Sequence, residues 1–172
     1  MIRKTCVALL ALALGLGAQG ALGAGAQSSD PALCPYRDGG VLFYDITGGP
    51  LRELPLMQIR ATGEVIYRAM GDEQSATPVL KQAEIPRQEA ETLLREGADV
   101  LAGALTEMPL PPATGVADTA ISHMALRFPD CDMSLSVSGL AFRAARDKDN
   151  ALLQALRAYE LRLLALMNAL RS

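Results

Sequence analysis

The sequence predicts an exported α+β domain: an antiparallel sheet of about five strands, built around two hairpins and packed by an amphipathic middle helix and a long C-terminal helix. Three observations carry this expectation. The stretch "MALRFPDCDMSLSV" alternates apolar and polar residues on both sides of a Pro-Asp-Cys-Asp connection, the pattern of a hairpin with one wet face. Residues 86–105 and 150–170 repeat apolar side chains at steps of three and four, the period of a helix buried on one side. The amino terminus has the layout of a secretory leader.

In that leader Arg3 and Lys4 precede an apolar run over residues 6–16, and the chain then turns Gly/Ala-rich before Ala24-Gly25-Ala26. The run is shorter than the roughly 20 residues that cross a bilayer. Residues 1–26 are therefore expected to be a signal peptide cut after Ala26, with Gly23 as second choice. No cysteine directly follows either cut, so no lipid anchor is expected. The product is predicted to be periplasmic or secreted, with no membrane insertion after cleavage. The "GLGAQG" at 15–20 has dinucleotide-site spacing, but it lies inside the leader, with no strand and helix to frame it.

Cleavage would leave 146 of the 172 residues, enough for one domain with its own core. It would also remove Arg3 and Lys4, so that 14 of the 16 basic residues face 19 acidic ones, a net charge of −5. That balance, with no Trp and no Lys/Arg cluster, argues against nucleic acid as a partner. Cys6 leaves with the leader. Cys34 and Cys131 then form an even pair in an exported chain and are expected to be joined by a disulfide.

Residues 27–40 are rich in turn formers and read as an irregular lead-in to a single α+β domain over 41–172. "VLFYDI" at 41–46 is a strand bounded by glycines. In "LMQIRATGEVIYR" a tight turn at Thr62-Gly63 would pair Ile59 with Ile66, Met57 with Arg68 and Gln58 with Tyr67. Residues 71–79 read as a loop. The middle helix starts near Pro86, buries Ala90, Leu93, Leu94, Gly97, Val100, Leu101, Ala104 and Leu105, and pairs Glu91 with Arg95 on its wet side. Pro109, Pro111 and Pro112 make the next segment a loop.

A four-residue connection over 129–132 would then set Phe128 opposite Met133, Leu126 opposite Leu135, and Met124 opposite Val137, with His123 opposite Ser138 on the polar side. The last helix, capped by Asp147 or Asp149, carries a heptad seam of Leu152, Leu156, Tyr159, Leu163, Leu166 and Leu170. That seam fits a helix laid across the sheet better than an intermolecular coiled coil, although assembly through residues 150–170 is a second use for it.

The chain is poor in catalytic signals. A Ser-His-Asp reading would combine His123 with Ser134, Ser136 or Ser138, of which Ser138 is the expected cross-strand neighbour, and with Asp118 or another carboxylate, without a nucleophile elbow or an oxyanion hole. Met124 and Met133 alternate into the apolar face and away from His123, which weakens a soft-metal site. Asp130 and Asp132 are favoured in a turn by local hydrogen bonds and lack the ligand spacing of a calcium loop. Beside Cys131 they would also raise, not lower, a thiol pKa. No metal and no cofactor are predicted.

The succession "RDGG", "LMQIRATGEVIYR", "IPRQEAETLLREG", "VADTAISHMALRF" and a Leu-rich terminal helix is similar to small bacterial domains of the emfourin type, which are protealysin-inhibitor-like, and to exported relatives of unknown role. The resemblance implies a compact antiparallel sheet with two helices and a protein-binding, peptidase-inhibiting role. The leader, the cysteine pair and the heptad helix depart from it, and no stretch matches a reactive loop. The expected function is a non-enzymatic binding module for another protein. The alternatives are a small hydrolase using His123 and an assembly protein using the terminal helix.

Overall fold

The computed structural model describes residues 34–49, 52–69, 78–106 and 119–172. The predicted signal peptide and most of the lead-in lie outside them. Six strands form one antiparallel sheet in the order β4-β3-β2-β1-β5-β6, one strand more than expected. They are β1 (Val41–Thr47), β2 (Met57–Arg60), β3 (Glu64–Ala69), β4 (Val79–Glu84), β5 (Ile121–Phe128) and β6 (Cys131–Ser138). Three helices, α1 (Arg87–Thr106), α2 (Leu140–Arg146) and α3 (Ala151–Arg171), complete the domain.

The helices cover one face of the sheet. Alternation along each strand sends Leu42, Tyr44, Met57, Ile59, Val65, Tyr67, Met124 and Leu126 to that face, where all are buried. The opposite face carries Val41, Phe43, Gln58, Ile66, Ala125, Arg127 and Ser134. No described helix packs on it. Arg127 lies over the Phe43 ring, 4.9 Å from its centroid.

Both hairpins form, and both differ in register from the expectation. In the first, Met57 pairs with Tyr67, Gln58 with Ile66 and Ile59 with Val65, a slip of one residue. The connection is Ala61-Thr62-Gly63 rather than a two-residue turn. The Gly63 N–H donates to the Arg60 carbonyl at 2.9 Å, and Gly63 holds φ at 99°. A hydrogen-bonded turn closed by a glycine at positive φ adds that extra residue. In the second, Phe128 pairs with Cys131, Leu126 with Met133 and Met124 with Leu135 across a two-residue turn, Pro129-Asp130. The slip of two residues leaves every side chain on its expected face, because the strand period is two.

The middle helix buries Ala90, Leu93, Leu94, Gly97, Ala98, Leu101 and Ala104, while Val100 and Leu105 stay half-buried. Glu91 pairs with Arg87 at 2.6 Å instead of with Arg95, whose guanidinium sits 4.9 Å over the Tyr36 ring. At Gly97 an added Cβ would lie 2.4 Å from the Tyr159 hydroxyl. That missing side chain lets α3 approach α1 closely enough for the Tyr159 hydroxyl to donate to the Leu93 carbonyl at 2.9 Å.

The cap of α3 is Asn150, neither predicted aspartate: its side-chain oxygen accepts from the Leu153 N–H at 2.9 Å. Of the expected seam, Leu156, Tyr159 and Leu163 are buried and Leu152, Leu166 and Leu170 are half-buried. Leu153, Glu160 and Met167 take the other inner positions. Cys34 and Cys131 lie at disulfide distance, with Cα atoms 5.8 Å apart, so the segment before β1 is tied to the start of β6.

Candidate functional site

Three features near the β5–β6 edge of the sheet carry polar chemistry, and each grows from strand alternation. The first is His123. Its neighbours on β5 point alternately to the two faces, which places the imidazole on the side away from the helices. It is nevertheless buried, because the residues that follow β1 fold over it. Nε2 lies 2.7 Å from the Gly49 carbonyl oxygen and 2.8 Å from Thr47 Oγ1, and Nδ1 lies 2.7 Å from Ser136 Oγ. A carbonyl can only accept, so Nε2 carries a proton, and in the neutral ring Nδ1 accepts from the Ser136 hydroxyl.

The expected grouping is thereby corrected. Ser136, not Ser138, is the cross-strand partner of His123; Ser138 instead contacts Thr119 Oγ1 at 3.2 Å. The two-residue slip of the hairpin is the cause. Asp118 lies outside the described residues. The carboxylate facing His123 across the ladder is Asp45, fully buried, but its Oδ1 accepts from Arg68 at 2.8 Å and from the Ile46 N–H at 3.0 Å. Its Oδ2 has no hydrogen-bond partner among the described residues. What results is an exposed serine hydroxyl on a buried, oriented imidazole, without a carboxylate behind the ring.

The second feature lies on the helix side. Glu160 of α3 is 2 % exposed. Its Oε1 accepts from the Tyr44 hydroxyl at 3.2 Å and from the Ser122 hydroxyl, and its Oε2 accepts from Arg157 Nη1. Burial first, and the Glu160 carboxylate second, push the Tyr44 phenol far above its usual range. The cluster borders a recess of about 220 Å³ between β5, α2 and α3, walled by Ile46, Ala120, Leu140, Ala141 and Phe142. Sequence reasoning missed it, yet a signal exists. Leu153, Leu156, Glu160, Leu163 and Met167 step by three and four, so Glu160 occupies a seam position, and Ser122 alternates with Met124 and Leu126 on the apolar face.

The third feature is the free edge of β6. The Gly139 N–H donates to the Ala120 carbonyl at 2.9 Å, which fixes the phase of the β5–β6 ladder. Hydrogen-bonded pairs alternate along an antiparallel ladder, so Asp132, Ser134, Ser136 and Ser138 turn their N–H and C=O groups outward. None of these groups bonds to a described residue. Ser134 and Ser136 are exposed, and the strand contains neither Lys nor Pro. The opposite edge, β4, has Lys81 at its centre, a charge that hinders strand addition.

No protein-family model and no curated protein matches this chain. The emfourin-type resemblance thus rests on the sequence pattern, and the chemistry on the residues above. Among the described residues no group of three or more His, Cys, Asp or Glu is placed to hold a metal ion. No described helix is long and apolar enough to cross a membrane.

Proposed function

We propose that this protein is an exported binding module that accepts an extended segment of a partner protein along the edge of β6. The supporting observation is the eight-residue edge strand whose outward backbone groups have no partner among the described residues, beside a sheet face that no described helix covers. Main-chain hydrogen bonds to such an edge supply affinity, and alternate side chains of the incoming strand read the flanking surface. Export follows from the leader, and the cysteine pair suits an oxidising compartment. Peptidases are the partner class that the emfourin-type resemblance implies.

The test is a charge placed on the edge. Ser134→Lys, whose side chain is exposed, should reduce partner capture from cell-envelope extract at least tenfold, while Gln82→Lys on β4 leaves capture unchanged. Equal capture by both variants, or no specific partner at all, would overturn the reading.

The contact between Ser136 and His123 favours a second reading, a small hydrolase with Ser136 as nucleophile and His123 as base. It requires labelling of Ser136 by a fluorophosphonate probe that His123→Gln abolishes. Absence of labelling in the wild type eliminates it. The buried use of Leu156, Tyr159 and Leu163 within the chain gives helix-mediated assembly less support.

A further inference from the structure

We propose that the recess between β5, α2 and α3 is a binding site for a small apolar carboxylate, with Arg157 as the anion-recognising group. The guanidinium has five N–H donors. Glu160 takes one at Nη1, and no other described residue pairs with Arg157. The side chain is 28 % exposed and borders the recess, so its remaining donors are available to an incoming anion.

Glu160 acts here as a positioning residue. Its carboxylate is fixed by the Tyr44 and Ser122 hydroxyls from two neighbouring strands, and so holds the guanidinium at the mouth of the recess. The Glu160 charge already offsets the arginine, so one ligand carboxylate takes the group from neutral to a net charge of −1 and a dianion is disfavoured. Apolar walls then select the tail. Leu140 is buried and Phe142 is 51 % exposed where they line the recess, with the Arg146 guanidinium 5.9 Å from the centroid of the Phe142 ring. At a water's share of about 30 Å³, the 220 Å³ recess holds roughly seven non-hydrogen atoms. That is the size of a four- to six-carbon monocarboxylic acid.

Heteronuclear NMR titration of the mature protein with hexanoate, and in parallel with hexanamide, tests this. The amide keeps the tail and loses the charge. Hexanoate should give saturable shifts at Ala120, Ser122, Leu140 and Phe142, and hexanamide should bind at least tenfold more weakly. Arg157→Gln should weaken hexanoate at least tenfold, with Arg157→Lys intermediate. Because Arg157→Gln also removes the partner of Glu160, Phe142→Ala in the lining gives an independent arm, expected to weaken binding about threefold or more. Equal binding of acid and amide, shifts confined to other surfaces, or no saturation up to about 10 mM hexanoate would each overturn the proposal. Loss of partner capture by Ser134→Lys with hexanoate binding intact would show that the two sites stand independently.

Discussion

Replacing Cys34 and Cys131 together by alanine should remove a large part of the domain's stability. The bridge closes a sequence separation of 97 residues. In the chain-entropy account, a cross-link over about 100 residues lowers the entropy of the unfolded chain enough to stabilise the fold by about 4.7 kcal/mol, and measured native bridges fall within about 2–5 kcal/mol. At a urea slope of about 2 kcal/mol/M, the midpoint should fall by roughly 1–2.5 M. For a domain of about 150 residues the melting temperature should fall by roughly 5–20 °C. Equilibrium urea unfolding of the oxidised wild type, the double variant and the reduced wild type measures it, with intrinsic fluorescence from tyrosine as the signal. Reduced wild type and double variant should coincide. A loss below about 1 kcal/mol, or two titratable thiols at Cys34 and Cys131 in protein purified without reductant, would refute the staple between the segment before β1 and the start of β6.

Other expectations follow from single contacts. Gly97→Ala places a Cβ 2.4 Å from the Tyr159 hydroxyl and 3.1 Å from Leu126. Overpacking of about 1–3 kcal/mol should outweigh the ~1 kcal/mol helix-propensity gain, so urea unfolding should show a net loss and a net gain would contradict the α1–α3 contact. Burial raises the phenol pKa values of Tyr44 and Tyr159 above the ordinary 10.0. Above about pH 10 the unfolded chain therefore releases protons that the fold retains. Stability should be unaffected by these groups below that pH and fall above it by up to about 1.4 kcal/mol per pH unit for each tyrosine. Unfolding at pH 9 and pH 11 checks this, with Tyr159→Phe reducing the slope; an unchanged stability would contradict it. Asn150→Ala should cost about 0.5–2 kcal/mol through loss of the cap on the Leu153 N–H, read as a lower melting temperature.

Much of the fold was legible because burial on one face imposes a period. Phe128, Leu126, Met124, Met133, Leu135 and Val137 share a face as the alternation required, and a register error of two residues cannot disturb that. Turn geometry is less legible. The Pro129-Asp130 turn is shorter than the four-residue connection expected, and the positive φ of Gly63 inserts a residue that a two-residue turn does not have. Strand β4 escaped because none of "VLKQAE" is fully buried, so no face is marked by alternation. Helix α2 escaped because seven residues after Gly139, with no side-chain cap, give little period to read.

The site was less legible than the fold for a related reason. Ser136 was displaced from His123 in the reading by the same register error that left the faces intact. Glu160 was hidden by a seam drawn through Tyr159, one position away. Its role depends on Tyr44 and Ser122, which are 116 and 38 residues distant in sequence and meet it only after the sheet and α3 pack. Heptad counting names the inner stripe of a helix; it does not say which polar residue on that stripe will find donors.

The claim that the β6 edge receives a partner is tested most directly by placing a photo-reactive amino acid at position 134 and, as control, at Gln88 on the solvent side of α1, then irradiating intact cells that export the protein. The account predicts a discrete cross-linked species from position 134 that is absent from position 88 and competed away by unlabelled wild type. Cross-linking of equal yield from both positions, or from position 88 alone, would contradict it.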